Sequence, residues 1–228
     1  MTDTQTLALA AGGAALAAAA GALPFALGRG RPVRRIAWAN AVAAGLMLGA
    51  AFVLAREGLL LQPLPTATGA LLGLALLVSL HAFAGVSDLS RGDLETSDPV
   101  YGWRVLMLQT IHGSFEGVAL GVAAALDLTL GLFLAGALAV HNVAEGTTLA
   151  AVLTEDHRVP PARAAVLAVA TNGGQILLAV TTFAVLGPGG ALLAPTLGLA
   201  VAGLLYLVLV DLLPEAYGPA GDTAIAVV

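Results

Sequence analysis

The sequence predicts an all-α, polytopic membrane protein with about seven transmembrane helices. Of its 228 residues, 59% are hydrophobic and only 10% are charged, and the mean hydropathy is +0.95. Soluble domains carry roughly 25% charged residues, so the chain lies far outside their range. Its apolar residues fall into segments near the roughly 20 residues that a helix needs to cross a bilayer. Composition and segment length together give the fold class.

Seven such segments follow one another, at residues 5–28, 36–56, 66–87, 103–126, 128–153, 163–186 and 191–213. The first has no basic leading region, so we expect a span there and not a signal peptide. The long polar connection after the third segment has too few apolar residues to build a core. We therefore expect spans 1–3 in residues 1–87, a cytoplasmic linker at 88–102, spans 4–7 in 103–214 and a C-terminal tail at 215–228.

The arginines predict how the spans are oriented. All nine basic residues are arginine, and with the N-terminus outside only Arg56 falls on the outer side. The other eight then lie in or beside cytoplasmic loops: Arg29, Arg31, Arg34, Arg35, Arg91, Arg104, Arg158 and Arg163. Because positive residues favour the cytoplasmic side, the C-terminus is expected in the cytoplasm. The absence of lysine beside abundant alanine and glycine is typical of a GC-rich bacterial genome, which favours a bacterial cytoplasmic (inner) membrane.

Composition excludes cysteine-based sites and argues against a nucleic-acid partner. The chain has no cysteine, so it holds neither disulfides nor thiolate metal sites. It also has no basic patch outside one short loop, so no nucleic-acid partner is expected. The partners that remain are the lipid bilayer and small ions.

Two short segments repeat one pattern inside the predicted fourth and fifth spans. They read His112-Gly-Ser-Phe-Glu116-Gly117 and His141-Asn-Val-Ala-Glu145-Gly146. Each places a histidine and a carboxylate one helical turn apart on the same face. Each then has a glycine, which lets a neighbouring helix approach closely. Ionisable groups at membrane depth are costly and mark a pathway or a site by default.

Histidine and carboxylate ligands suit Zn(II), Fe(II), Mn(II), Co(II) or Cd(II). Two carboxylates around one divalent ion also bring the site near charge balance, which a low-dielectric interior requires. The alternative is that each pair makes an internal hydrogen bond or a helix-packing contact. Two copies at one spacing on adjacent helices favour metal coordination.

The two segments resemble the fourth- and fifth-helix signatures of the ZIP (Zrt/Irt-like) metal-ion transporters. A further match is Gly203-Leu-Leu-Tyr-Leu-Val-Leu-Val-Asp211-Leu-Leu-Pro-Glu215, which is similar to the seventh helix of the family. A weaker one, Gly45-Leu-Met47-Leu-Gly-Ala-Ala-Phe, resembles the second helix. The matches occur in order over most of the chain, and the linker lies where the family has a long cytoplasmic loop.

The resemblance implies a set of metal ligands. The primary site of the family corresponds to His112, Glu116, His141 and Glu145. A methionine of the second helix completes it in bacterial members, which corresponds to Met47. For Met47 alone, a thioether that faces lipid or the core is the alternative interpretation.

The family often has an adjacent second metal position that shares the glutamates. By the same resemblance that position draws on the residue after each histidine, here Gly113 and Asn142, and on Asn172 of the sixth span. Glycine offers no ligand and the asparagines bring no charge. We therefore expect a single well-occupied site.

Several departures from the family pattern occur, and two of them concern the shape and number of the helices. Phe115 and Ala144 stand where many members have proline before the glutamate, so a milder helix break is expected. The family has eight helices with both ends outside, whereas seven segments are predicted here. We therefore expect a ZIP-like bundle that lacks the eighth helix, or an incomplete sequence.

Three further polar residues are candidates for an ion pathway. Gln175 follows Asn172 by three residues and so lies on the same helix face. Asp211 and Glu215 are one turn apart at the predicted cytoplasmic end of the seventh span. A helix-packing hydrogen bond for Gln175 and a solvated helix end for the two acids are the alternative interpretations.

The sequence thus predicts a transporter, and not an enzyme, that moves a divalent transition-metal cation into the cytoplasm. Zinc is the first candidate, followed by iron, manganese, cobalt and cadmium. No organic cofactor and no catalytic residue are expected, and a homodimer is a candidate assembly. The alternatives are an intramembrane metal-dependent hydrolase and a non-transporting metal-binding accessory protein.

Overall fold

The computed structural model describes residues 1–29, 32–84, 99–186 and 190–220. Within these ranges the chain forms ten α-helices and no strand. They are α1 (Asp3–Ala17), α2 (Leu23–Ala26), α3 (Val33–Leu61), α4 (Pro63–Ala84), α5 (Pro99–Leu126), α6 (Leu128–Ala151), α7 (Pro161–Thr171), α8 (Gly173–Leu186), α9 (Leu193–Leu207) and α10 (Leu213–Ala220). The predicted all-α class is confirmed.

Six stretches of the described chain are long and apolar enough to cross a membrane. They are Asp3–Ala26, Arg34–Leu61, Pro63–Leu80, Leu128–Glu155, Pro161–Leu186 and Leu193–Leu212. Helix α5, which contains the predicted span 103–126, has 28 residues but is not one of the six. Its polar residues Gln109, His112 and Glu116 lower its hydropathy. The chain is a polytopic, all-α membrane protein.

The distribution of large apolar side chains fits a lipid environment. Leu71 and Leu72 of α4 are each 68% exposed, and Phe52 of α3 is 70% exposed. Soluble monomers rarely expose contiguous apolar surface on this scale, whereas lipid solvates it. The interior is rich in alanine, whose small side chain lets helices approach closely. Apolar residues therefore lie both inside the bundle and on its outer surface.

Glycines mark the closest helix crossings. A Cβ added at Gly69 or Gly198 would overlap the backbone of the facing helix, so α4 and α9 meet there. Likewise a Cβ at Gly117 or Gly121 would overlap the backbone of α8. Close backbone approach of this kind is how membrane helices gain packing energy without a hydrophobic driving force. These crossings fix α4 against α9 and α5 against α8.

The first and sixth spans are interrupted, although their sequences predict continuous segments. A 3₁₀ turn, Ala18–Ala22, separates α1 from α2. Gly21 in this turn lies against the backbone of α6, where a Cβ would overlap Gly146 and Thr147. In the sixth span, Asn172 separates α7 from α8, and its side-chain amide donates to the carbonyl of Ala168 at 3.0 Å. Asparagine side chains compete with helix bonds in this way.

Two π-helical turns widen the ends of other spans. Val152–Asp156 extends α6, and Val208–Leu212 extends α9. Such turns are uncommon and occur frequently at functional sites. The second one contains Asp211, a predicted pathway residue.

A single residue, Asp127, separates the two helices that carry the repeated segments. Its carboxylate accepts a hydrogen bond from the backbone N–H of Leu130 at 3.0 Å and so caps the start of α6. This hydrogen bond lowers the pKa of Asp127 from its ordinary value. The short connection makes α5 and α6 neighbours in the bundle.

The domain boundaries predicted around the linker and the tail remain predictions. Residues 88–98 of the linker and 221–228 of the tail lie outside the described residues, and α5 begins at Pro99. Helices from the two sides of the linker pack together: α1 and α3 contact α6, and α3 and α4 contact α9. The two sequence halves thus share one bundle.

Candidate metal centre

The repeated segments lie within α5 and α6. We call residues 112–117 the first segment and residues 141–146 the second segment. His112, Glu116 and His141 are buried, with exposures of 6%, 2% and 5%, and Glu145 is half-buried. Burying polar groups in apolar surroundings is costly unless they gain partners. Their positions inside long helices therefore require compensating contacts.

One contact joins the two segments directly. The Nε2 atom of His141 lies 3.3 Å from the Oε1 atom of Glu116. Glu145 lies close enough to Glu116 for the two carboxylates to interact electrostatically. Two ionised carboxylates in a low-dielectric interior repel each other unless a cation or a proton compensates their charge. A cation bound near Glu116 would supply that compensation.

A second contact brings in the end of the last long helix. The Nε2 atom of His112 lies 3.4 Å from the Oδ2 atom of Asp211. Asp211 belongs to the π-helical turn after α9, and its side chain is 21% exposed. The predicted pathway residue is thus next to a predicted metal ligand.

Four of the predicted site and pathway residues form two close pairs, His112 with Asp211 and His141 with Glu116. Among the residues that the structure describes, no cluster of three or more His, Asp or Glu side chains is grouped closely enough to hold a metal ion. Coordination by all four predicted ligands would require the His112 pair and the His141 pair to draw together. The ligand set stays a prediction.

A small cavity lies beside the first segment. It has a volume of about 10 Å³, enough for roughly one water molecule. His112, Phe115 and Glu116 line it from α5, and Leu77 lines it from α4. The wall from α9 is made by Gly203, Leu204, Tyr206 and Leu207. The two polar side chains contributed by α5 are thus the predicted metal ligands.

Asn142 of the second segment is a structural link between three spans. It is fully buried, and its Nδ2 atom donates to the carbonyl of Ala14 at 2.9 Å and to Oε1 of Gln175 at 3.1 Å. Gln175 is also fully buried. A polar side chain that bridges membrane helices stabilises their packing. The geometry supports this packing role for both residues, and their predicted metal and pathway roles stay predictions.

Asn172 lies near the first segment at the break between α7 and α8. It is 2% exposed, and its Oδ1 atom is 3.4 Å from the position that a Cβ on Gly113 would take. An alanine at position 113 would therefore make only ordinary contact with the interrupted span. Asn172 as a ligand also stays a prediction.

Two predicted residues remain, Met47 and Glu215. Met47 is fully buried in the alanine-rich apolar cluster, so its thioether packs in the core, as the alternative interpretation expects. Glu215 belongs to α10, and its side chain lies outside the described residues. Neither observation tests their role toward a metal.

No role in the site was predicted for Phe115, Tyr206 or Gln109. Phe115 and Tyr206 line the cavity, and the side-chain amide of Gln109 lies 3.5 Å from the carbonyl oxygen of Glu145. A signal existed for Phe115, because it lies between His112 and Glu116 in the sequence. Tyr206 and Gln109 had no such signal, because their neighbours belong to other helices.

Comparison with known proteins gives one informative match. No protein-family model matches the chain. The chain is 30% identical over 235 aligned residues to an Arabidopsis thaliana protein described as a "putative zinc transporter". The alignment covers 98% of this chain and 36% of that protein, so the chain spans about a third of the length of its relative. This similarity agrees with the resemblance to the ZIP metal-ion transporters that the ordered motifs carry.

Proposed function

We propose that the chain is a membrane transporter that moves a divalent transition-metal cation, with zinc foremost, into the cytoplasm. The observation that carries the proposal is the buried Glu116 carboxylate of α5, which lies 3.3 Å from the His141 imidazole of the adjacent helix α6. Imidazole and carboxylate ligands suit zinc, and also iron, manganese, cobalt and cadmium. The similarity to a protein described as a zinc transporter supports the same substrate class.

The ligands of the proposed site are His112, Glu116, His141 and Glu145. The cation would draw the two observed pairs together, since it compensates the charge of both glutamates. Because imidazole binds metal in its neutral form and carboxylate in its ionised form, affinity for the cation falls as the pH is lowered. The cation is the substrate, and the proposal requires no organic cofactor and no catalytic residue.

Asp211 marks the proposed route between the site and the cytoplasm. Its carboxylate contacts His112 and is partly exposed, so it connects the buried ligands to the surface. The π-helical turn that holds it is the kind of irregular backbone that lines paths inside membrane proteins. Glu215 and Gln175 are proposed to contribute to the same route.

Exposed arginines support the proposed direction and location. Arg34, Arg35, Arg158 and Arg163 are exposed near the starts of α3 and α7. The positive-inside rule places these ends in the cytoplasm and the N-terminus outside. A bacterial inner membrane is the proposed location.

Zinc uptake by purified protein in proteoliposomes tests the proposal. We expect the wild type to accumulate zinc and the double variant Glu116→Gln/Glu145→Gln to accumulate no more than empty vesicles, because its site lacks both negative charges. Glu155→Gln is the matched control, because Glu155 is exposed and lies in the π-helical turn after α6. Its uptake should equal that of the wild type.

Two outcomes would contradict the proposal. Uptake by the folded double variant at the wild-type rate would show that the glutamates do not hold the ion. Zinc bound by the wild type without any flux would instead favour a non-transporting metal-binding protein.

A further inference from the structure

The cavity beside the first segment is shaped by one aromatic ring. Phe115 lies on α5 between His112 and Glu116, and all three side chains line the cavity. The phenylalanine itself is only 9% exposed. An aromatic side chain between two proposed ligands therefore forms part of the wall against which the ion would bind.

The Phe115 ring packs against Gly203 of α9. A Cβ at Gly203 would lie 3.2 Å from Cδ1 and 3.4 Å from Cβ of Phe115. The shorter distance is tighter than an ordinary contact, so a larger residue at position 203 would make the ring shift by a few tenths of an ångström. The ring and the glycine are thus packed as complementary surfaces of two helices.

The volume of the cavity limits how much water can accompany an ion. About 10 Å³ holds roughly one water molecule. Apart from Phe115, the other lining residues are Gly203, Tyr206 and the three leucines Leu77, Leu204 and Leu207, so most of the remaining wall offers little to hydrate an ion. An ion that reaches this face of His112 and Glu116 must leave almost all of its hydration shell behind.

We propose that Phe115, seated on Gly203, is a specificity-determining residue that excludes water from the ion. The inference rests on the proposed transport function and adds the basis of its selectivity. Ions that readily exchange water for imidazole and carboxylate, such as zinc, bind in the dry site. Ions better suited to water and oxygen ligands, such as manganese, are disfavoured because they lose hydration without replacement.

The test compares zinc and manganese binding to purified protein in detergent. Phe115→Ala replaces the ring with space for water, so we expect the ratio of the manganese Kd to the zinc Kd to fall by about tenfold or more. X-ray absorption at bound zinc should show an additional oxygen ligand in the variant. Phe133→Ala is the matched control, because Phe133 lies on α6 and is 48% exposed to the lipid side.

Phe115→Leu keeps an apolar side chain of smaller volume and should give an intermediate ratio if Phe115→Ala does not fold. An unchanged ratio in either folded variant, or the same change in Phe133→Ala, overturns the inference. Wild-type protein that binds no zinc overturns the proposed function together with this inference. Zinc binding with an unchanged ratio overturns the inference alone.

Discussion

The first and second segments have one sequence pattern and two different environments. In the first segment, His112 borders the cavity and pairs with Asp211 of the π-helical turn after α9. In the second segment, His141 pairs with Glu116 of the first. The first histidine therefore contacts a partly exposed carboxylate, whereas the second contacts the buried carboxylate of Glu116.

The residues that follow the two histidines, Gly113 and Asn142, also have different contacts. A Cβ at Gly113 would make only ordinary contact with Asn172, whereas Asn142 links α6 to α1 and to Gln175 by hydrogen bonds. At this position the first segment thus has an ordinary packing contact and the second has a hydrogen-bonded link. A repeat in sequence does not imply a repeat in structure, because each copy meets different neighbouring helices.

The largest expected loss of stability follows from replacing the glycine after each glutamate, which both segments share. A Cβ at Gly117 would overlap the backbone of Gln175, and a Cβ at Gly146 would overlap the backbone of Ala18. Backbone atoms cannot move aside as a side chain can, so Gly117→Ala and Gly146→Ala should each cost about 1–3 kcal/mol of unfolding free energy. Thermal unfolding in detergent measures the loss.

Gly136→Ala is the matched control for these two variants. Gly136 lies on α6, and nothing in the described structure comes within 4 Å of the position of an added Cβ. Its replacement should leave stability unchanged or raise it, because alanine is the better helix former. If Gly117→Ala is as stable as the control while Gly146→Ala is not, only the second segment depends on a close crossing.

A smaller difference in stability is expected between variants of the two residues that follow the histidines. Asn142→Ala removes two hydrogen bonds, and since such bonds average about 0.6 kcal/mol in membrane helices, the expected loss is roughly 1 kcal/mol. Gly113→Ala should be close to neutral, because the nearest atom to its added Cβ is 3.4 Å away. Unfolding midpoints and zinc uptake of both variants provide the comparison. Equal stability of the two variants would remove the distinction between the segments.

The smallest expected effect concerns the pH dependence of stability at Asp127. This residue caps α6, the helix that carries the second segment. Because the backbone hydrogen bond from Leu130 lowers the pKa of Asp127, its stabilisation is complete above the ordinary pKa of aspartate, about 4. It is lost as the pH falls through the lowered pKa of the folded state. Asp127→Asn keeps a capping acceptor that does not titrate. The variant should therefore lose less stability than the wild type on acidification.

Unfolding midpoints near neutral pH and below about pH 4 measure this difference. An identical loss in both proteins would mean that the cap does not contribute to acid sensitivity. Zinc uptake at neutral pH should be the same in both, because Asp127 lies at the start of α6 and the second segment begins at His141.

Much of the candidate site could be predicted because its signals are local. The spacing of His112 and Glu116, and of His141 and Glu145, places each pair on one face of a helix that the apolar flanks already predict. The glycine after each glutamate predicted close packing, and the overlap at Gly117 agrees with it. These inferences need only the helical repeat and the chemistry of the side chains.

Other features could not be read from the chain because they depend on distant segments. The pairing of His112 with Asp211 joins residues about 100 positions apart. The seat of Phe115 on Gly203 and the bridge from Asn142 to Ala14 likewise join separate spans. In an alanine-rich membrane protein, small residues occur on many helix faces, so the sequence does not say which faces meet.

The sequence by itself determined the all-α membrane fold, six apolar helical segments long enough to span a membrane, and the type of ligand available for a cation. It could do so because hydropathy and helical periodicity act within single segments of about 20 residues. The tertiary structure decided which histidine faces the cavity, which one meets Glu116, and where the spans are interrupted. Those outcomes depend on close packing between helices, which is a property of the assembled bundle and of no single segment.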